Sequence, residues 1–387
     1  MTGMKVEGRE GTENPMNTDD NVVTNSYKLL DEVAVSLEQK CILHICGQRS
    51  GKSVALGLSD YSLVLYDVCN LHRVCSFPAH TSTITDVKFS SKNEHLLYSS
   101  SLDGTVKVHD LRSKTCVAEL KDDSEGPSML KPLSSFDFSS DENFGSAGTE
   151  LFDGDAFVLF WDIRTSKLLG GYWESHTDDI TQVRFHPEEK NKLATGSVDG
   201  IINVFDISKQ CEDDALAYCL NTESSIDKLH WFRGMDSTFN ISCITHTEEL
   251  QLWEIDGASP FAHFTREDIA GILKDDTVDN TYLVNSHNQE DGGLLIIAGY
   301  SSLKRQDLSA FSLKKPDTTA VYSVSSMNGN KQEVRGSWYN AKDQVLLTGG
   351  EGGFLSLWTR DDESNTGHQT KHFKMKHKSK SKPYQRE

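Results

Sequence analysis

The chain lacks the features that mark secreted, membrane-embedded and metal-binding proteins. Its eight cysteines form no Cys-x-x-Cys pair and no metal-ligand spacing, so we expect free thiols buried in strands. No stretch approaches about 18 apolar residues, and the first 25 residues are polar and acidic, without the apolar run of a secretory signal. These absences predict an intracellular protein of the nucleus or cytoplasm, neither exported nor inserted into a membrane.

Positive charge is also scarce. Lys and Arg total 39 against 58 Asp and Glu, which gives a formal net charge of −19. Nucleic-acid binding depends on cationic side chains that neutralise phosphates. The charge balance therefore disfavours a general nucleic-acid binder and favours basic proteins as partners.

Familiar catalytic signatures are missing as well. The sequence contains no Gly-x-Ser-x-Gly, His-Glu-x-x-His or Gly-x-Gly-x-x-Gly motif. Residues 47–53 resemble a phosphate-binding P-loop, but three residues separate the glycines where that motif has four. Residues 54–58 read as a strand, whereas a phosphate loop must open a helix. We therefore expect no cofactor and keep an enzyme only as a remote alternative.

An internal repeat is present. Residues 80–110 and 176–206 align without a gap, and 12 of the 31 positions are identical. Both begin His-Thr-x-x-Ile-Thr-x-Val, pass through Asp-Gly, and finish with a strand that ends in Asp. The two copies start 96 residues apart, close to two repeats of roughly 40–50 residues, the period of propeller blades. This architecture predicts a recognition surface more than a catalytic pocket.

A strand that ends in an aromatic residue or His recurs seven times. The ends are Tyr66, His109, Trp161, Phe205, Trp253, the neighbourhood of Phe311, and Trp358. Four of these strands carry a turn Asp six residues earlier: Asp60, Asp103, Asp155 and Asp199. Thr247 takes that place in the fifth repeat, and Gly352 takes it in the last. The sixth repeat is indicated by its short apolar runs at 294–299 and 305–313.

These residues resemble the WD40-repeat family over residues 26–359. The resemblance implies an all-β, seven-bladed WD40 β-propeller, in which four-stranded blades pack radially around a channel. It also implies a buried network of His, Ser or Thr, Asp and an aromatic residue in two blades. The network residues are His80, Ser99, Asp103 and His109, and His176, Thr195, Asp199 and Phe205.

This network has two consequences. Phe205 has no donor, so the second network should be one bond short. His176 stands close to Asp178 and Asp179, which could suggest acid–base chemistry or a metal site. Its place in the repeat assigns it a structural role instead.

The chain divides into three parts. We expect a disordered acidic head at 1–25, a monomeric propeller at 26–360 and a disordered basic tail at 361–387. About 335 residues give seven blades of about 48 or eight of about 42, and both fit the length. No apolar run follows Trp358, so residues 27–37 should supply the last outer strand and close the ring.

The tail concentrates basic residues. Its run at 372–386 contains Lys374, Lys376, Lys378, Lys380 and Lys382. Such a run predicts nuclear import, with a merely solvated tail as the alternative. Contact with RNA is expected only through this segment.

Two neighbouring repeats carry Asp-x-Arg directly after the aromatic strand. The residues involved are Asp110, Arg112, Trp161, Asp162 and Arg164. In WD40 substrate receptors of cullin-RING ubiquitin ligases, Trp-Asp-x-Arg contributes to the surface that meets the ligase's adaptor. The planar Arg fork suits two-point pairing with carboxylates. The alternative is an Arg that pairs with its own blade's Asp, and His109 departs from the motif's Trp.

An acidic surface is predicted between the third and fourth repeats. The third holds extra residues before its turn Asp, and the fourth opens with two acids. The candidate client-binding residues are Phe152, Asp153, Asp155, Asp178 and Asp179. Clustered acids attract cationic segments, and Phe152 would add an apolar anchor. An ordinary solvated acidic rim is the alternative.

The sequence thus predicts a non-catalytic protein-interaction scaffold. A ligase substrate receptor is its sharper form. The alternative is a nucleolar or chromatin-associated adaptor that uses the acidic propeller face and the basic tail.

Overall fold

The computed structural model describes residues 23–122, 124, 126, 130–234, 238–274, 277–290, 292–302, 305–313 and 321–361. The predicted head up to residue 22 and the basic tail from residue 362 lie outside the described residues. The described part consists mainly of β-strands. None of the helices within these ranges is long and apolar enough to span a bilayer.

Five antiparallel sheets each use four consecutive strands. The first two consist of β2 (Ile42–Gly47), β3 (Ser53–Leu58), β4 (Ser62–Asp67), β5 (His72–Pro78), β6 (Ile84–Phe89), β7 (Leu96–Ser101), β8 (Thr105–Asp110) and β9 (Thr115–Lys121). The next two consist of β10 (Leu133–Phe138), β11 (Phe144–Thr149), β12 (Val158–Asp162), β13 (Lys167–Tyr172), β14 (Ile180–Phe185), β15 (Lys192–Ser197), β16 (Ile201–Asp206) and β17 (Leu216–Asn221). The fifth consists of β18 (Ile226–Arg233), β19 (Phe239–Thr245), β20 (Leu250–Trp253) and β21 (Ala262–Phe264).

The remaining strands form one eight-stranded sheet. They are β22 (Thr281–Asn288), β23 (Leu294–Ser301), β24 (Gln306–Leu313), β25 (Val321–Met327), β26 (Val334–Asn340), β27 (Val345–Gly350), β28 (Phe354–Arg360) and β1 (Val23–Ala34). Their order is β22-β23-β24-β25-β1-β28-β27-β26. Strand β1 runs parallel to β25 and antiparallel to β28. The chain's first described strand therefore completes the sheet that holds its last.

The predicted closing strand is present, with different bounds. Residues 27–37 were expected to form it, whereas β1 starts at Val23 and ends at Ala34. It begins sooner because Val23 and its successors pair with β25, so the predicted head overlaps the fold. It ends sooner because the chain leaves the sheet, and the Leu37 side chain is fully exposed. The predicted runs of the sixth repeat coincide with β23 and β24.

The hydrophobic core lies between neighbouring groups of four strands. Buried residues from β2–β5 pack with those from β6–β7, and the same relation continues from group to group. The series returns to its start, since Leu347 and Leu357 pack with Val54 and Leu56. The first strands of successive groups also contact one another in sequence order. This closed ring of radial sheets is a β-propeller.

The strand sequences explain the local geometry. A β-bulge follows Ile84 in β6 and Ile180 in β14, at the same point of the repeat. Gly104 and Gly200 follow the turn Asp with φ of +81°, a conformation that favours glycine. Three short helices were not predicted: α1 (Glu212–Ala215), α2 (Arg266–Leu273) and the 3₁₀ turn η1 (Val278–Asn280). Thr265 caps α2 through a reciprocal box with Asp268.

Candidate functional site

The predicted network residues of the first repeat lie together. Nδ1 of His80 is 2.9 Å from the Asp103 carboxylate, and its Nε2 is 2.8 Å from the Ser99 hydroxyl. Ser99 in turn lies 3.0 Å from Nε2 of His109. Asp103 also accepts the Thr81 N–H at 3.1 Å. The network thus ties the segment before β6 to the turn between β7 and β8.

The second repeat brings its residues together in the same way. His176 lies 3.1 Å from Asp199 through Nδ1 and 2.7 Å from the Thr195 hydroxyl through Nε2. Phe205 is fully buried at the aromatic position, where its ring has no donor. The side-chain amide of Asn203 lies 3.4 Å from His176 Nε2.

Burial and hydrogen bonding together shift the pKa values of these network residues. Burial opposes ionisation of Asp103, but hydrogen bonds from His80 and Thr105 outweigh it and lower the pKa of that carboxyl. The pKa of Asp199 is lowered in the same way, since His176 outweighs the effect of burial. Burial lowers the pKa of His109 to about 4. Among the described residues, Nδ1 of His109 is one of the buried polar atoms without a hydrogen-bond partner.

These contacts define one face of the ring. The segments before the first strands meet the turns between second and third strands there, and we call this surface the loop face. The predicted acidic residues lie on it. Phe152 and Asp155 form a two-residue β-bridge, and the carboxylate of Asp179 accepts the Leu151 N–H at 2.6 Å. The extra residues of the third repeat therefore contact the segment that opens the fourth.

The acids of this surface differ in exposure. Asp153 and Asp155 are exposed, whereas Asp178 and Asp179 are half-buried. Burial and the nearby charge of Asp179 raise the pKa of Glu150. A raised carboxyl pKa is the expected result of negative charges held close together.

The predicted apolar anchor is not the exposed side chain of this loop. Phe152 is half-buried, and its ring centroid lies 5.3 Å from the Lys131 ammonium. Lys131 is itself buried, in an ion pair of 2.8 Å with Asp122. Because Phe152 packs over this cation, Leu151 is the exposed apolar side chain, with 43% of its surface accessible.

The Asp-x-Arg residues lie at the opposite ends of the strands. Strand β8 runs from the loop face to Asp110, whose carboxylate binds the Arg112 side chain at 2.8 Å. That hydrogen bond lowers the pKa of Asp110 to about 2. Arg164 is exposed, and its backbone N–H donates to Asp162 at 2.9 Å.

Trp161 contradicts its predicted part in an adaptor contact. Its ring is fully buried, and its Nε1–H donates to the Lys121 carbonyl at 3.1 Å. The ring fills the core between two sheets, where an external partner has no access to it.

The inner strands carry charged residues that the sequence did not single out. Arg184 on β14 reaches Asp86 on β6 at 2.9 Å, past the intervening strand β10. Lys88 pairs with Asp137, also at 2.9 Å. Burial lowers the pKa of the neighbouring His44 to about 4. The alternation of polar and apolar residues in these strands could have indicated that charged side chains line their inner face.

Two smaller predictions also meet the structure. Residues 47–53 form the turn between β2 and β3, and Gln48 N–H donates to Ser53 O at 2.8 Å, as in a hairpin. All eight cysteines are free, but only Cys75 and Cys243 are buried, and Cys69, Cys116, Cys211 and Cys219 are exposed. The expectation of uniformly buried thiols was wrong because several stand on outer strands or loops. In the described ranges, no group of three or more potential ligands is arranged to hold a metal ion.

The fold is a β-propeller, and its histidine network occurs in two of its repeats. The family model "WD domain, G-beta repeat" matches residues 71–110 and 167–206, which contain both networks. The chain therefore carries WD40 repeats in these two segments.

Several relatives are similar over most of their length. The chain is 28% identical to WD repeat-containing protein GTS1 of Arabidopsis thaliana, covering 87% of this chain and 86% of that one. It is 27% identical to WD repeat-containing protein 89 homolog of Dictyostelium discoideum, covering 78% and 79%. Residues 160–164, 177–187 and 346–351 are the local runs that most resemble WD repeat-containing protein 89. A shorter match, 29% identical over 40% of this chain and 18% of the relative, is to GATOR2 complex protein WDR24 of Homo sapiens.

Proposed function

We propose that this protein is a non-catalytic interaction scaffold whose loop face binds a Lys/Arg-rich segment of a client protein. The contact between Leu151 and Asp179 carries the proposal, because it joins the acidic loop of one sheet to the acidic opening of the next. Asp153 and Asp155 project from this surface, and Leu151 supplies exposed apolar area beside them. Acids close together attract cations at long range, and the apolar contact adds affinity that charge alone lacks.

Titration of basic peptides against the full chain tests this function. Replacing Asp153, Asp178 and Asp179 by Asn should weaken binding at least tenfold and reduce its dependence on salt. The matched control replaces Asp213, Asp214 and Asp256, three exposed acids elsewhere in the chain, by Asn. Binding that survives the first triple substitution, or that is lost equally in both variants, would show that the client binds elsewhere.

We infer a ring of seven blades. The eight-stranded sheet divides into β22–β25 and β26–β28 with β1, and each half has the four-stranded antiparallel arrangement of the other five sheets. Only the parallel pairing of β1 with β25 joins the halves. An electron density map that showed another number of radial sheets would contradict this count.

The ligase-receptor form of the function rests on Arg112 and Arg164. Arg112 is held by Asp110, so Arg164 is the better placed of the two to meet an adaptor carboxylate. Alanine at both positions should remove adaptor recovery in pull-downs from cells and leave the unfolding midpoint nearly unchanged. Equal recovery by the double variant, or none by the wild type, would exclude this role.

The adaptor alternative rests on the tail and on relatives that belong to complexes. A relative named as a GATOR2 complex protein supports membership of a multi-protein assembly. Deleting residues 371–387 should shift a large fluorescent fusion from nucleus to cytoplasm. An unchanged distribution would refute nuclear import through Lys374 to Lys382.

A further inference from the structure

The sheet β18–β21 lacks the buried imidazole of the two networked sheets. Ile226 pairs with Thr245 as Ile180 pairs with Ser197, so the two sheets share one register. That register places Thr222 at the position of His176. By the same register, Thr247 stands at the position of Asp199, and Trp253 occupies the aromatic position. Two short hydroxyl side chains therefore replace an imidazole and a carboxylate.

A cleft of about 460 Å³ opens at this place. Thr222, Thr247 and Trp253 line it. The buried Gln251 takes part of the network's place, since its amide donates to the Thr222 carbonyl at 3.1 Å and accepts the Trp253 Nε1–H at 3.1 Å. The two hydroxyls are directed to other partners. Thr222 donates to the Gly200 carbonyl at 2.8 Å, and the Thr247 hydroxyl lies 3.1 Å from that of Ser224.

The chemistry of the cleft favours a cation. Glu223 and Glu249 line it, together with the hydroxyls of Ser224 and Thr247. The lining residues that the structure describes include no Lys or Arg, and His263 already lies 3.0 Å from one oxygen of Glu249. The volume falls within the range of about 300–1,000 Å³ in which proteins bind small ligands. Its acidic lining and open side suit one inserted side chain.

We propose that this cleft binds a single arginine side chain of a protein partner. A guanidinium carries five donors in a plane, which match several carboxylate and hydroxyl acceptors, and it is less strongly hydrated than an ammonium group. The cleft is lined by the segment before β18, by the turn between β19 and β20 and by residues 258–260 between β20 and β21, so it extends from the loop face towards the opposite end of the sheet. The proposal rests on the proposed function only in that the partner approaches the loop face.

A small probe tests the cleft directly. Acetyl-arginine-amide is titrated against the full chain, and the indole N–H resonance of Trp253, assigned through Trp253→Phe, reports binding. Glu249→Gln should weaken the arginine probe by about tenfold, the usual effect of losing a charge-assisted hydrogen bond. Glu254→Gln is the control, because Glu254 is exposed on the same sheet and does not line the cleft. The lysine and citrulline counterparts of the probe should bind more weakly than arginine.

A second variant fills the cleft. Thr222→His, Thr247→Asp and Gln251→Asn together restore the residues that His176, Asp199 and Asn203 supply in the networked sheet, and this triple variant should abolish probe binding without lowering the unfolding midpoint. An unshifted Trp253 resonance in the wild type, or equal binding of arginine and citrulline probes, overturns the proposal. Equal affinity in Glu249→Gln and Glu254→Gln also overturns it.

The probe separates this inference from the proposed function. The variant with Asn at Asp153, Asp178 and Asp179 should still bind acetyl-arginine-amide while it loses basic peptides. Peptide binding without any probe binding would contradict arginine binding in the cleft but not peptide binding by the acidic loop. Probe binding without peptide binding would contradict the proposed function but not arginine binding in the cleft.

Discussion

Two kinds of sheet occur side by side in this ring. In β6–β9 and β14–β17, a histidine with a fully buried side chain contacts both the turn Asp and a hydroxyl group on the second strand of the sheet. In β18–β21, Thr222 and Thr247 hold those positions and leave a cleft. All three sheets nevertheless keep four antiparallel strands and a β-bulge at the same point of their first strand.

The difference between these sheets distinguishes the interactions that form a blade from those that fix its loops. The strands and their register follow from apolar residues that pack between sheets, because these are present in all three cases. The His–Asp network is an addition that ties down the loop face. In β18–β21, where this network is missing, the four-stranded sheet persists and a cleft lies beside it.

Removing the turn Asp from a networked sheet should cost the most. Asp103→Ala leaves Nδ1 of His80 and the Thr81 N–H without their acceptor, so we expect a loss of about 3 kcal/mol in the free energy of unfolding. Denaturant titration measures this loss. A variant as stable as the wild type would mean that the network does not close the blade.

Acid should then distinguish the first network from the second. The pKa of His109 is about 4 when folded, below its ordinary 6.5. The unfolded chain therefore binds more protons between these values, and stability, full above pH 6.5, falls as the pH drops toward 4. His109→Phe copies the second network and should reduce that loss by about 2 kcal/mol.

Unfolding of both proteins at pH 7 and pH 4.5 checks the effect. Other buried histidines, such as His44, contribute in the same direction and are unchanged by the substitution. Identical pH dependence in variant and wild type would contradict a neutral, buried His109.

The counterpart of Asp103 in the third sheet should matter least. Thr247→Ala removes only hydroxyl contacts at 2.8 Å and 3.1 Å beside an open cleft, so we expect a loss of at most about 1 kcal/mol. The same denaturant titration measures it. A loss equal to that of Asp103→Ala would erase the distinction between the two kinds of sheet.

Local patterns allowed much of the fold to be predicted. The spacing of His80 to Asp103 repeats within one contiguous segment, so its network could be expected before the structure. Contacts between distant segments could not be predicted from local patterns. The pair Arg184–Asp86 joins residues 98 positions apart, and the parallel pairing of β1 with β25 has no periodic signal. The prediction that Phe152 is an exposed apolar anchor was wrong because its ring packs over the buried Lys131, which lies in a different segment, before β10.

The cleft shows the same limit. Thr247 was recognised as a departure from the repeat, but a substitution alone does not reveal an empty volume. Whether neighbouring side chains collapse into the space depends on three-dimensional packing.

The pairing of β1 with β28 orders events during synthesis. Tyr27 pairs with Arg360, so β1 has no antiparallel neighbour until the residues between these two positions have been translated. Bringing such distant segments together is slow, and meanwhile an unpaired strand edge is open to wrong partners. A nascent or prematurely terminated chain would expose that edge. The pairing of β1 with β28 therefore forms only after β28 has left the ribosome. Until then, chaperones that bind unpaired strands would act on the free edge of β1.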